Sequence, residues 1–367
     1  MKKSCYSTYN QAFMKIIHYS VIQLFRYSIL LLLPLCAFAQ FTTRYPDIPR
    51  IDVHTHCGDS SGNSFFKYLQ YRDSVKHFYN ADIAMWVNLT QNDVQLATKN
   101  TGGRMLSTFS SYRPAQKGIE YYKPDDIEKL RQEGYIGYKI WYGPYYRQNP
   151  ELVKYPYVDD PAHETAFSLL ESQDVFLASL HIADPNGPIE CRTTWAADPV
   201  EYWREIIALE RVLSRHPNLH IVVAHGFWLM TQDAQIDFLR YIMDTYPNCN
   251  LDISATIDYV NLSTYDNLRD FFIKYQDRLF WSIDYSIRAN QESLTYFIKL
   301  TGDWFRLLET DDVFGEDVSY NGKPMKGLNL PKEVLEKLYY KNALRIYPDQ
   351  LKENMQRLGY PVEFCTP

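Results

Sequence analysis

Eight short runs rich in β-branched and aromatic residues recur along this chain, at 51–53, 83–89, 104–109, 137–141, 175–180, 220–224, 250–253 and 278–283. Helical patterns lie between many of them. Parallel neighbours in a sheet need a crossover about the length of a helix, so this alternation predicts a parallel α/β sheet. At this length the sheet is expected to close into a (β/α)8 TIM barrel, with an open doubly wound sheet as the competing arrangement. No Gly-x-Gly-x-x-Gly follows the first run, so nothing supports a dinucleotide site.

The helices carry their own signals. The stretch 198–213 opens with Asp198 as cap and Pro199 in the first turn, keeps an apolar stripe, and should stop before His216-Pro217. The stretch 124–131 starts with Pro124 and two acids, Asp125 and Asp126. A last helix over 331–344 is expected to close the fold.

Residues 1–39 have the composition of a secretory signal. Lys2, Lys3, Lys15 and Arg26 precede or flank an apolar core over 27–37, and Ala37-Phe38-Ala39 is a small-x-small cleavage site. That core is short for a spanning helix, which needs about 20 residues. Cleavage would start the mature chain at Gln40, giving a secreted or periplasmic protein with no stable membrane association. No repeat, low-complexity block or Gly/Ser linker follows, so residues 40–367 are expected to be one domain. Loss of the four leader cations takes the formal charge from −6 to −10. An acidic body argues against nucleic acid or an anionic membrane as partner. Cys57, Cys191, Cys249 and Cys365 remain. An oxidising compartment permits disulfides among them, buried thiols are the alternative, and no spacing resembles a zinc knuckle.

Polar residues cluster at the ends of the apolar runs. His54 and His56, one residue apart, should point the same way from a strand, and paired neutral imidazoles are good ligands for Zn, Fe, Ni or Mn. His181 ends the fifth run, His225 the sixth and Asp284 the eighth. Lys139 sits inside the fourth. A lone strand-end histidine is usually structural. Several on the one rim of a barrel, where reactive side chains gather, point instead to a metal site.

In this order the motifs resemble those of the amidohydrolase superfamily, in particular its amidohydrolase-related branch, which includes aminocarboxymuconate-semialdehyde decarboxylase-like enzymes. Ile51-Asp-Val-His-Thr-His56 is similar to the first-strand motif. His216-Pro-Asn-Leu-His-Ile-Val-Val-Ala-His-Gly226 is similar to the passage into strand six. Arg278-Leu-Phe-Trp-Ser-Ile-Asp-Tyr285 resembles the eighth strand, and 330–345 the closing helix. The resemblance covers about residues 50–346. It implies a barrel of the metallo-dependent hydrolase type, with His54, His56 and His181 on one divalent ion, most simply Zn. Asp284 would bind that ion or its water and act as catalytic base. His225 would serve as acid, base or polarising group. In binuclear members the fourth-strand Lys is carboxylated and bridges two metals. Lys139 could do that, bind a substrate carboxylate, or pair within the protein; one metal and an unmodified Lys139 is the favoured expectation. Two departures stand out. Gly226 is followed by Phe227 and Trp228 where the branch often has a second Gly, and Ile283 replaces a small residue before Asp284.

Arg113, Trp141 and Arg192 lie in aromatic, cation-bearing loops near the expected rim, where they could stack on rings or grip carboxylates in a substrate. The reading is an exported metal-dependent hydrolase of an amide, ester or lactone in a small organic substrate. The alternatives are a lyase, namely a non-oxidative decarboxylase of an aromatic or unsaturated acid, and a binding protein that retains the barrel. A homo-oligomer is compatible with either.

Overall fold

Strand β1 (Arg50–His56) is buried from Arg50 to Thr55, and all 6 residues of β2 (Ile83–Asn88) are buried too. Strands hidden on both faces belong to a parallel sheet covered by helices on one side and packed side chains on the other. In the computed structural model, β2 is followed by β3 (Met105–Ser107), β4 (Phe109–Ser110), β5 (Tyr138–Trp141), β6 (Leu177–His181), β7 (Ile221–Val223), β8 (Cys249–Asp252), β9 (Leu279–Phe280) and β10 (Tyr285–Ser286). The structure describes residues 41–58, 63–110, 130, 132–141, 157–172, 177–182, 199–286 and 291–362. The leader, the expected 124–131 helix apart from Leu130, Arg113, Arg192, Cys191 and Cys365 lie outside the described residues.

Parallel pairing orders the strands β10-β1-β2-β3 and β4-β5-β6-β7-β8-β9. β3 and β4 are one barrel strand interrupted at Thr108, whose N–H and Oγ1–H both donate to Asn88 O (2.9 and 3.0 Å). β9 and β10 are likewise one strand interrupted over 281–284. Through these two strands the sheets join into a closed ring of eight strand positions, a (β/α)8 barrel.

The interruption in the eighth position was expected as continuous strand over 278–283. Ile253 N still donates to Phe280 O (3.1 Å), but Trp281 N turns outward to Leu338 O (3.0 Å). Ile283 N then donates to Asp52 Oδ1 (3.2 Å). Leu338 lies in a π turn, Lys337–Lys341, set between the α segments Lys332–Glu336 and Asn342–Ile346. A π turn interrupts the regular carbonyl ladder, and here the outer strand supplies a donor to it. The closing helix thus contains a π turn where a plain helix was expected.

Helix Pro199–Arg215 ends before His216-Pro217, as the sequence dictates. Two elements were not anticipated: the antiparallel hairpin β11 (Val313–Phe314) and β12 (Met325–Lys326), and the helix Asp349–Arg357. At the amino end of β1, buried Arg50 pairs with buried Glu309 at 3.2 Å and lies over the Phe305 and Tyr339 rings. This leaves the carboxyl end of the barrel for chemistry. Among the described residues no helix is long and apolar enough to cross a membrane.

Candidate metal centre

β1 runs three residues further than its apolar core, so His54 and His56 sit on the strand itself and project alike. Asn88, ending β2, accepts from Cys57 N (2.7 Å) and donates to Cys57 O (3.1 Å), which anchors the chain just past His56. Asp284 follows the break in the eighth strand with φ of 61°, a left-handed conformation uncommon for Asp. Asp52 couples the two elements, since its Oδ1 accepts from both His54 N (3.2 Å) and Ile283 N (3.2 Å).

These backbones bring three donor atoms together. His54 Nε2 lies 3.2 Å from His56 Nε2, and Asp284 Oδ1 lies 3.6 and 3.1 Å from those two nitrogens. Ligands bound tetrahedrally at about 2.0–2.1 Å stand roughly 3.3 Å apart, so the spacing fits one divalent ion. His54 Nδ1 points the other way, 2.9 Å from Asp252 Oδ2. His56 Nδ1 is 2.8 Å from Thr90 Oγ1. These outer contacts are of the kind that orient metal-binding imidazoles.

Hydrogen bonding assigns two tautomers. Ser254 Oγ–H is held by Asp252 Oδ1, which also accepts from Ser254 N (3.1 Å), His225 N (3.3 Å) and Ser282 Oγ (3.2 Å). With that proton spent, His225 Nδ1 must donate to Ser254 O (2.9 Å), and His54 Nδ1 must donate to Asp252. Both rings therefore present a bare Nε2. His54 Nε2 and Asp284 Oδ1 are both acceptors, so what joins them at His56 is either a proton on His56 Nε2, which a neutral ring whose Nδ1 accepts from Thr90 can carry, or a metal ion.

Electrostatics follow burial. Against the burial that would raise them, His54 first holds Asp252 and Asp284 well below the usual carboxylate range, helped by His225 and Ser254 at Asp252 and by His56 at Asp284. Asp52, with less compensation, is pushed up by burial. Burial lowers the His54 imidazole and brings His225 down to about 3, with His181 and His54 adding to the latter. Burial also takes the Lys139 ammonium down to about 8, against the pull of Asp252 and Asp284.

The structure thus gathers His54, His56, His225 and Asp284 at one end of the barrel. His181 joins through His225: their ring centroids are 4.6 Å apart, edge to face. His225 also stacks on His54 at 5.0 Å. Two sets of donors are close enough to share an ion, His54–His56–Asp284 and His54–His225–Asp252. Lys139 Nζ donates to Ser179 Oγ at 2.7 Å. Trp141 pairs with His181 in register, which places its backbone on the rim. Cys57 and Cys249 are buried thiols.

Sequence reasoning missed Asp252, Asp52, Ser254 and Thr90. Asp252 carried a usable signal, a carboxylate in an apolar run with strand alternation (Asn250-Leu-Asp-Ile253). Thr90 and Ser254 are ordinary hydroxyls whose roles exist only in three dimensions.

A family model described as amidohydrolase matches residues 147–348, more than half of the chain. The matched span covers β6 to β10 and the closing helix, and so holds His181, His225, Asp252 and Asp284. No curated protein matches. Solved structures that resemble the chain include an uncharacterized TIM-barrel protein from Bordetella bronchiseptica, 15% identical, covering 84% of this chain and 100% of that one, TM-score 0.49. Others are an amidohydrolase from Burkholderia multivorans with bound zinc (12%, 85% and 99%, TM-score 0.45) and a dihydroxybenzoic acid decarboxylase from a Polaromonas species with bound manganese and 2-nitroresorcinol (12%, 84% and 99%, TM-score 0.45). On the extent of the family match, this chain belongs to the amidohydrolase family and is a metal-dependent enzyme of that family.

Proposed function

We propose that this protein is an exported hydrolase that uses one divalent ion, zinc by the nitrogen-rich donor set, to cleave an amide, ester or lactone bond in a small organic molecule. The observation that carries the reading is Asp284. Its carboxylate lies against His54 and His56, is held ionised there, and is about one third exposed, so it meets both the ion and incoming water. A bound divalent ion supplies Lewis acidity and lowers the pKa of water. Asp284 accepts the proton as water adds to the carbonyl carbon, and returns it to the departing oxygen or nitrogen as that bond breaks. His225, neutral and with a bare Nε2, acts by accepting a hydrogen bond that orients the attacking water. His54 and His56 hold the ion, with His181 as a third imidazole beside His225. Asp252 fixes the His54 ring and Asp52 keeps His54 and Asp284 in register.

Hydrolysis is favoured over decarboxylation by the charge of the surroundings. Asp252 and Asp284, both held ionised, lie at the centre, whereas among the described residues Lys139 is the cation their fields act on, and its ammonium is engaged by Ser179. A substrate carboxylate would find the ion as its main cationic partner, beside two ionised carboxylates.

The test is elemental analysis of purified protein, followed by a panel of lactones, esters, amides and aromatic acids. About one zinc per chain and acid release from a lactone, ester or amide is the expected result. Release of CO2 from an aromatic acid, with no hydrolysis, would replace this reading by the decarboxylase one. Two ions per chain with added mass on Lys139 would make the centre binuclear.

A further inference from the structure

After β7 the chain takes four consecutive left-handed residues, His225, Gly226, Phe227 and Trp228, with φ of 59, 54, 58 and 61°. Three of them carry side chains that disfavour this conformation. The turn folds the Trp228 indole back onto His225, with centroids 5.0 Å apart. Trp228 in turn meets Tyr259 edge to face at 5.7 Å, and Tyr259 stacks on Tyr320 at 5.4 Å and 25°. Exposure rises along this run: Trp228 is 6% exposed, Tyr259 is half-buried and Tyr320 is 45% exposed. Aromatic contact therefore leads from the centre to solvent without interruption.

The outer end is fastened. Tyr259 lies in the 3-10 turn Ile257–Leu262, just past the carboxyl end of β8. Tyr320 lies in the arm between β11 and β12. Tyr320 N donates to Asp258 O (2.7 Å), and Asn261 Nδ2 donates to Asn321 Oδ1 (2.8 Å) and Lys323 O (2.9 Å). A half-exposed tyrosine held in place by its backbone presents a ring face at little ordering cost.

Carboxylates outnumber cations around this run. Asp258 adjoins Tyr259, and Lys299 is shared between two carboxylates, Asp303 (2.8 Å) and Asp317 (3.1 Å), while Lys323 is the cation of the arm beside Tyr320. Asp258 and Asp303 feel each other, and the Tyr296 hydroxyl feels Asp258, Asp303 and Asp284 beyond the effect of its own burial.

We infer that the Trp228–Tyr259–Tyr320 run is a ring-binding arm of the active site that accepts an uncharged or cationic ring, aromatic or sugar, and disfavours an anionic one. Stacking supplies the attraction, and the carboxylates attract cations or accept from hydroxyls. The inference rests on the hydrolase reading only for the bond that is cut; ring binding itself is independent of turnover.

The experiment is isothermal titration of the full zinc-loaded chain with benzamidine, benzamide and benzoate, a cationic, neutral and anionic series of one ring. Tyr320→Ala should weaken benzamidine and benzamide about three- to tenfold, the range of one aromatic contact. Tyr320→Phe should restore them. Tyr320→Leu, which keeps bulk without a π face, should resemble Ala. Asp258→Asn should reduce the preference for benzamidine over benzamide. Equal affinities in wild type, Tyr320→Ala and Tyr320→Leu overturn the arm, and so does a Tyr320 dependence confined to benzoate. If no panel substrate is hydrolysed while the Tyr320 dependence stands, the hydrolase reading alone fails. Hydrolysis without that dependence removes the arm alone.

Discussion

Asp252 Oδ2 lies 2.9 Å from His54 Nδ1, and both side chains are 1% exposed. This contact decides which nitrogen of His54 is left bare for the centre. It also concentrates cost: Asp252 Oδ1 accepts from Ser254, Ser282 and the His225 amide, so the carboxylate is shared by three strand ends. A buried carboxylate so bonded orients its neighbours more than it binds anything itself.

Asp252→Asn should therefore lower zinc affinity about 10- to 100-fold while the fold persists, because the amide keeps the shape but loses the charge that fixes His54. Competition against a chromogenic chelator measures the affinity, and far-UV circular dichroism the fold. An unchanged affinity would show that His54 needs no such partner.

Gly226→Ala should destabilise the protein. Gly226 has φ of +54°, and a Cβ there would stand 2.5 Å from Met230 Sδ and 2.8 Å from Met230 Cγ. Met230 can swing aside in part, so about 1–3 kcal/mol is expected from the conformation and the crowding together. A thermal melt lower by several degrees is the readout. A melt within a degree of wild type would mean that the left-handed turn carries no strain at this residue.

Much of this architecture was legible because it follows local rules. Among the described residues most apolar runs are buried strands, the third and eighth with an interruption, and polar residues just past a run lie at its carboxyl end; His54, His56, His181, His225 and Asp284 were singled out that way. Asp252 follows nearly the same rule, but Ile253 after it made the carboxylate look like an interior residue. The turn at 225–228 was not legible, since Phe227 and Trp228 disfavour left-handed backbone and adopt it only under the surrounding packing. The π turn at Lys337–Lys341 answers a donor, Trp281 N, that lies far away in sequence. The β11–β12 hairpin has two-residue strands, too short for any alternation to register.

Asp258 makes stability depend on pH. Burial, then Asp303, pushes its carboxyl up to about 6, above the unfolded value near 4. The folded state thus holds a proton that the unfolded state has released between about pH 4 and 6. Its contribution is favourable at the acidic end of that window and is lost as pH rises through about 6. Asp258→Asn, which cannot ionise, should gain stability relative to wild type at pH 7 over its relative stability at pH 4.5. Urea midpoints at the two pH values give the comparison; the same difference at both would remove Asp258 from the pH dependence.

Export predicts a defined amino terminus. Ala37-Phe38-Ala39 follows a short apolar core, so protein from the native host should begin at Gln40. Amino-terminal sequencing or intact mass settles the point. A chain retaining Met1 would end the proposal of a secreted or periplasmic enzyme.

The mechanism stands on Asp284 and His225 behaving differently. Asp284→Asn keeps the side chain's shape and one oxygen near His56, but an amide is not an effective base. Turnover should fall by more than about a hundredfold, while zinc binding falls less, because His54 and His56 remain. His225→Ala should cost roughly a hundredfold in kcat through loss of water orientation, with the ion retained if His54, His56 and Asp284 hold it. Replacing both His54 and His56 by Ala should instead remove the ion and leave a folded barrel. The measurements are kcat and zinc content on each variant, taken with a substrate from the hydrolysis panel. Near-normal kcat in Asp284→Asn would refute proton transfer to this carboxylate. Loss of zinc in His225→Ala would move the ion toward the His54–His225–Asp252 set, where Asp252 would be a ligand and not the residue that orients one.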